Sequence, residues 1–334
     1  MLEPPKIDDE LITSRLQEEY ELQALYLSFL PLGADMGSAV YQVIAEDGSV
    51  YFLKLRKGFN EIVVTVPLFL KSQGIQEIIS PIETKSNRGW ADFGGYKMIL
   101  YPFIKGKNGF EMELTADHKR MFGAALKSIH SVQLPPELKD QIPLETFSPK
   151  YREQVRNFQR QVENTTFNDA NGNRLGNFIK SKRDEIDRLI KRTEELALEL
   201  QSQDHKLVLC HTDIHGGNIL TTNDDEFYIV DWDAPLLAPK ERDLMFIGGG
   251  IDDIWKSKQD EAVFYKGYGN ADIDFALIAY YRYERVIEDL AAYAEQLLLT
   301  DEGGNDREEA YRRFTGNFEP GQTIEIAENT YKRI

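Results

Sequence analysis

At 334 residues the chain exceeds the roughly 250–300 residues at which a single hydrophobic core stops growing, so two domains or lobes are expected. With 42% hydrophobic and 28% charged residues it has the composition of a soluble globular protein with a sizeable core. Its net charge of -17 excludes a broad nucleic-acid or anionic-membrane surface, which would need a basic excess, and suits small cationic ligands. Cys210 is the only cysteine, so no intramolecular disulfide can form. The opening "MLEPPKIDDELITSRL" lacks the apolar core of a signal peptide, and no apolar run approaches the roughly 20 residues of a membrane helix. A cytoplasmic protein is expected, a monomer or weak dimer with no membrane or nucleic-acid partner.

In chain order, residues 9–20 read as a short helix. Over 25–57 the character changes: "SAVYQVIAE" and "SVYFLKLR" are rich in β-branched and aromatic residues and are joined by Asp47-Gly48, a hairpin signal. "LPLGADMGSAV" before them reads as a turn between two strands, so the chain begins as an antiparallel sheet. Residues 60–75 form a helix ending near Gly74, with Pro67 expected to kink or interrupt it. Residues 95–106 read as a further strand. Thr115 caps a helix with the stripe Met121, Phe122, Ala125, Leu126 and Ile129. Residues 150–203 are charged and helical, with a polar interruption at 163–176; 206–233 return to short strands; 275–299 form a long helix. The pattern is α+β, a small antiparallel-sheet lobe (1–104) followed by a larger, mainly helical lobe (105–334).

The stretch "LVLCHTDIHGGNIL" (207–220) crowds His211, Asp213, His215 and Asn218 between apolar flanks. Three chemistries compete for it. On an extended strand His211, Asp213 and His215 would share one face and could bind a metal, but the other histidines, 118, 130 and 205, form no second ligand cluster. Asp and Asn also satisfy their own backbone in loops. The third reading is phosphoryl transfer, because His211-x-Asp213-x4-Asn218 has the H-x-D-x4-N spacing of a kinase catalytic loop. That fold needs a second carboxylate after one more hairpin. Asp231 in "FYIVDWD" supplies it thirteen residues past Asn218, with "TNDDEF" as the turn.

The pair "HTDIHGGN" and "IVDWD" resembles the aminoglycoside phosphotransferase and choline-kinase-like group of small-molecule kinases, which carry Trp or another apolar residue where protein kinases have D-F-G. The likeness runs from the hairpin near residue 38 to the helix near 299. "APKERDLMFIGGG" and "YYRYERVIEDLAAY" look like segments of the branch that phosphorylates spectinomycin. The resemblance implies a bilobal protein-kinase-like fold and an O-phosphotransferase using ATP, with GTP as the alternative, and Mg2+. It implies that Asp213 orients the acceptor hydroxyl and takes its proton, and that Asn218 and Asp231 hold the metal. Lys54 would hold the nucleotide phosphates, with Glu61 as its first candidate partner. Backbone N–H groups near Asp35–Ser38 would cover the phosphates, in a loop with Gly33 and Gly37 but no G-x-G-x-x-G. Adenine would meet the backbone of Leu100, Tyr101 and Phe103, with Ile104 as a wall. His211 would brace the loop, Arg242 and Asp243 would form a structural ion pair, and His215 has no assigned role.

For the acceptor, Glu284 and Glu288 lie four apart on one helix face and repel unless a cationic ligand, or Arg282 and Arg285, compensate. Asp233 and Glu241 are further candidates. The expected substrate is a small cationic molecule bearing a hydroxyl, such as the aminocyclitol spectinomycin. Choline, a sugar or an amino-alcohol are alternatives within the same chemistry, and a non-catalytic nucleotide-binding relative is the alternative of a different class.

Overall fold

Ala39, Tyr41, Val43 and Ala45, every second residue of one strand, share a core with Leu53, Leu55, Met98 and Leu100 of its neighbours. Alternation of this kind gives a sheet one buried face. In the computed structural model, which describes residues 3–32, 37–167, 169–224, 226–249, 255, 257–300 and 303–334, it builds a five-stranded antiparallel sheet. Its strands are β1 (Ala24–Leu30), β2 (Ser38–Ala45), β3 (Val50–Arg56), β4 (Ala91–Phe93) and β5 (Tyr96–Pro102), in the order β1-β2-β3-β5-β4. Helix α1 (Asp9–Tyr20) starts at Asp8, whose side chain accepts from Glu10 N–H at 3.0 Å, and buries Ile12 and Leu16 in that core.

Helix α2 (Ile62–Ser72) ends as expected before Gly74, but it runs through Pro67 unbroken. A helix-interior proline costs about 3 kcal/mol. Burial of Ile62, Val63, Val64, Val66 and Leu70 on both sides offsets it.

Two compact units are present, Met1–Pro143 with Asp213–Pro235, and Leu144–Thr212 with Leu236–Ile334. The break expected at 104/105 falls inside the first unit. The reason is a second sheet, in which β6 (Gly106–Asn108) pairs with β8 (Ile219–Thr222), itself paired with β9 (Phe227–Ile229). Its pairing binds residues just past 104 to the loop-bearing segment. Helices α3 (Ala116–Ile129) and α4 (Pro136–Lys139) complete this unit. Thr115 caps α3 with a reciprocal capping box, and Phe122, Ala125, Leu126 and Ile129 are buried.

The second unit is helical: α5 (Lys150–Asn164), α6 (Ala170–Ser181), α7 (Arg183–Gln201), α8 (Glu241–Leu244), α9 (Lys258–Tyr268), α10 (Phe275–Leu298), α11 (Gly304–Gly316) and α12 (Thr323–Tyr331). Among the described residues one short ribbon, β7 (Leu207–Cys210) against β10 (Leu236–Pro239), interrupts them. The polar interruption expected over 163–176 is shorter, because α6 already begins at Ala170, capped by Asp169. Helix α10 is buried nearly all round, from Leu277 to Leu298, as a central helix must be.

No helix among the described residues is long and apolar enough to cross a membrane.

Candidate active site

The alternation that buries Leu53 and Leu55 turns Phe52, Lys54 and Arg56 to the opposite face of β3. Lys54 pairs with Ile99 and Phe52 with Tyr101, so Tyr101 shares that face. Lys54 Nζ donates to Asp231 Oδ1 at 2.7 Å and to both oxygens of Asp233 at 2.8 Å. Arg56 Nη1 lies 2.5 Å from Asp233 Oδ1. Two cations and two carboxylates therefore balance at the end of β9. Burial alone would lower the Lys54 ammonium, but Asp231 and Asp233 more than offset it and hold its pKa above the ordinary value. Burial pushes the Asp233 carboxyl up in spite of Lys54 and Arg56, with Asp231 adding to the rise. We read Asp233 as ionised, since both of its oxygens accept from a cation. Burial also raises the Tyr101 phenol, which stays neutral beside Lys54.

The loop between β7 and β8 carries the other groups. Asn218 is 7% exposed and its Nδ2 donates to the Asp213 carbonyl at 2.8 Å. Its own carbonyl accepts from Val230 N–H at 3.0 Å, which fastens the loop to the strand leading into Asp231. Asn218 Oδ1 is the atom left to act as a ligand. The Asp213 side chain is 39% exposed. Thr212 and Asp231 both hold left-handed backbone, at φ 77° and 66°. Such strain in non-glycine residues persists only where neighbours enforce it, and it gathers at functional sites.

In the helical unit, Asp243 does that enforcing. It is fully buried and accepts from His211 N–H at 2.9 Å and Thr212 N–H at 2.7 Å. Asp243 thus serves the backbone, while Arg242 Nη2 lies 3.5 Å from Glu288. Asp243→Ala would strand two buried N–H groups beside a strained residue. It is expected to cost about 3 kcal/mol or more, read as a shift in the urea-unfolding midpoint.

Several expected site residues fall elsewhere. Glu61 is exposed at the start of α2, and Lys54 pairs with Asp231 and Asp233 instead, because the two carboxylates reach its face of the sheet. Gly33 and Asp35 lie outside the described residues; Ser38 opens β2 and is buried. The Leu100 carbonyl accepts from Ile82 N–H at 2.7 Å and Phe103 N–H donates to the Val50 carbonyl at 3.2 Å, so both backbone groups already have backbone partners. Ile104 is half-buried just past β5.

The proposed acceptor contacts are occupied internally. Asp233 belongs to the Lys54–Arg56 cluster. Glu241 is buried and accepts from Lys240 Nζ at 2.6 Å and Asp274 N–H at 3.2 Å. Arg282, also buried, donates to the carbonyls of Met245, Ile247 and Gly248 and to Thr330 Oγ1. Glu284 pairs with Arg152, and Glu288 with Arg242 and Tyr151. The repulsion between Glu284 and Glu288 is thus compensated by arginines of α5 and α8, residues distant in sequence.

Burial, opposed by Arg152 and reinforced by Glu288, pushes Glu284 up to about 7. A carboxyl raised on folding stabilises fully below its unfolded pKa and loses that contribution as pH rises through the folded value. Between pH 5 and 8 wild type should therefore lose about 2–3 kcal/mol that Glu284→Gln does not lose. Urea unfolding of both proteins at the two pH values reads this difference.

The model of the phosphotransferase enzyme family matches residues 28–282. The chain belongs to that family. It is a small-molecule kinase of α+β, protein-kinase-like fold. Among solved structures, spectinomycin phosphotransferase in complex with ADP and spectinomycin is 36% identical, with a TM-score of 0.90 over 98% of this chain and 100% of that one. Two more distant kinases share the fold. Ethanolamine kinase from Plasmodium vivax is 16% identical, with a TM-score of 0.59 over 96% of this chain and 86% of that one. Choline kinase from Streptococcus pneumoniae is 15% identical, with a TM-score of 0.55 over 92% and 99%. A comparison with curated proteins gave no match.

Arg56 and Tyr101's side chain were missed by the sequence reading. Both were within reach of it, since Arg56 follows Lys54 by two residues on one strand and therefore shares its face.

Proposed function

We propose that this kinase transfers the terminal phosphoryl group of ATP, with GTP as the alternative donor, to a hydroxyl of an aminocyclitol such as spectinomycin. The observation that carries the reading is the Lys54–Asp231–Asp233 cluster beside a loop bearing Asp213 and Asn218. The 36% identity to a phosphotransferase crystallised with ADP and spectinomycin supports the substrate.

Asp231 and Asn218 Oδ1 form an oxygen-only donor set, which fits Mg2+ and not a soft metal. When bound with nucleotide, the ion neutralises phosphate charge. Lys54 adds a fixed ammonium for the phosphates, exchanging part of its contact with the two carboxylates. Asp213 accepts the hydroxyl proton as that oxygen bonds to the terminal phosphorus and ADP departs. Most of the rate then comes from positioning and charge neutralisation.

The deciding experiment is a coupled ADP-release assay with spectinomycin, other aminocyclitols and choline. Turnover with spectinomycin above the others is expected. Turnover with choline alone would reassign the substrate. Nucleotide binding without turnover on any alcohol would make the protein a non-catalytic binder.

A further inference from the structure

We propose that His215 is a positioning residue that orients the Asp213 carboxylate; the inference rests on Asp213 being the base of the reaction above. His215 heads the short turn Gly216–Asn218, and its Nδ1 accepts from Gly217 N–H at 3.0 Å. A ring nitrogen that accepts carries no proton, so the neutral ring has its hydrogen on Nε2. Nε2 lies 3.5 Å from Asp213 Oδ2. That is the outer limit of a hydrogen bond, and catalytic contacts commonly tighten only when substrate binds.

The ring is built in. It stacks on Phe110, with centroids 5.5 Å apart and planes 15° from parallel. Gly109 N–H donates to Gly216 O at 2.9 Å and to Ile219 O at 3.1 Å, which ties the Phe110 segment to the turn. A Cβ on Gly217 would sit 2.7 Å from the Phe110 ring and 2.8 Å from His215 Cε1, so the stack closes only over glycine.

Asn218 thus holds the Asp213 carbonyl, and His215 faces one carboxylate oxygen. The need is physical, because the terminal torsion of an aspartate is broad and twofold, and a donor on one oxygen selects one orientation. A neutral donor also suits a base, since a fixed cation at that distance would lower the carboxylate's basicity.

The test combines turnover with a measurement that needs none. His215→Ala should lower kcat for spectinomycin about 10- to 100-fold with the KM for nucleotide unchanged, and should lower the melting temperature slightly through loss of the cap on Gly217 and the stack on Phe110. His215→Gln, which can place an N–H near the Nε2 position, should recover most of the loss. In an Asp213→Ala background, His215→Ala should have no further effect. Long-range 1H–15N spectra of the five histidines should show His215 as the Nε2–H tautomer, with that signal moved by Asp213→Ala. A kcat unchanged in His215→Ala, a loss that persists in the Asp213→Ala background, or an Nδ1–H tautomer would overturn the proposal. If instead Asp213→Ala keeps wild-type turnover, or no alcohol is phosphorylated, the reading of Asp213 as base fails; the spectra still decide whether His215 holds its carboxylate.

Discussion

Asp213→Ala is expected to reduce turnover about 100- to 10,000-fold, the range for loss of a positioned base, while nucleotide affinity stays within about threefold. The split follows from where the residue sits. The Lys54–Asp231–Asp233 cluster is built from other residues, and Asn218 holds Asp213 through a carbonyl that any residue provides. At 39% exposure the side chain supports no core, so the variant should unfold with wild type. Steady-state kcat with spectinomycin and calorimetric binding of a non-hydrolysable ATP analogue read the two quantities. A variant that still turns over at wild-type rate would show that another group takes the proton. One that loses nucleotide would place Asp213 at the phosphates instead of the acceptor.

Local pattern carried the parts of this molecule that depend on neighbours in sequence. Period-two alternation around Asp47-Gly48 gave the hairpin, and the five-residue spacing from Asp213 to Asn218, followed by a second hairpin to Asp231, gave the loop. Partners set by tertiary packing were not legible. Glu61 looked like the partner of Lys54 because it starts the next helix, yet Asp231 and Asp233, some 177 and 179 residues away, reach the ammonium. Glu284 and Glu288 looked like a ligand site because like charges on one helix face need compensation. The compensation comes from Arg152, 132 residues away, and Arg242, 46 away. The first compact unit likewise runs past 104, since three residues of β6 pair with β8, a partner set by tertiary packing.

Asp231→Asn separates the metal from the lysine. Asparagine tolerates the left-handed φ of 66° and keeps the side-chain shape, so the change removes charge with little strain. Lys54 keeps both oxygens of Asp233, and the sheet should stand. Taking the charge from a carboxylate ligand weakens its hold on the ion, so affinity for nucleotide in the presence of Mg2+ should fall about 10- to 100-fold. With EDTA present the expectation reverses. The carboxylate that competes with phosphate for Lys54 is gone, so metal-free nucleotide should bind as well as to wild type or better. Calorimetric titration of ATP with and without Mg2+ reads both arms. Equal losses in the two conditions would mean that Asp231 acts by placing Lys54; loss confined to the Mg2+ arm is what a metal ligand produces. Asp233 gives the contrast, since it also pairs with Arg56. Its loss leaves two cations facing Asp231 alone, and weakens nucleotide binding less in Mg2+ than the loss of Asp231 does.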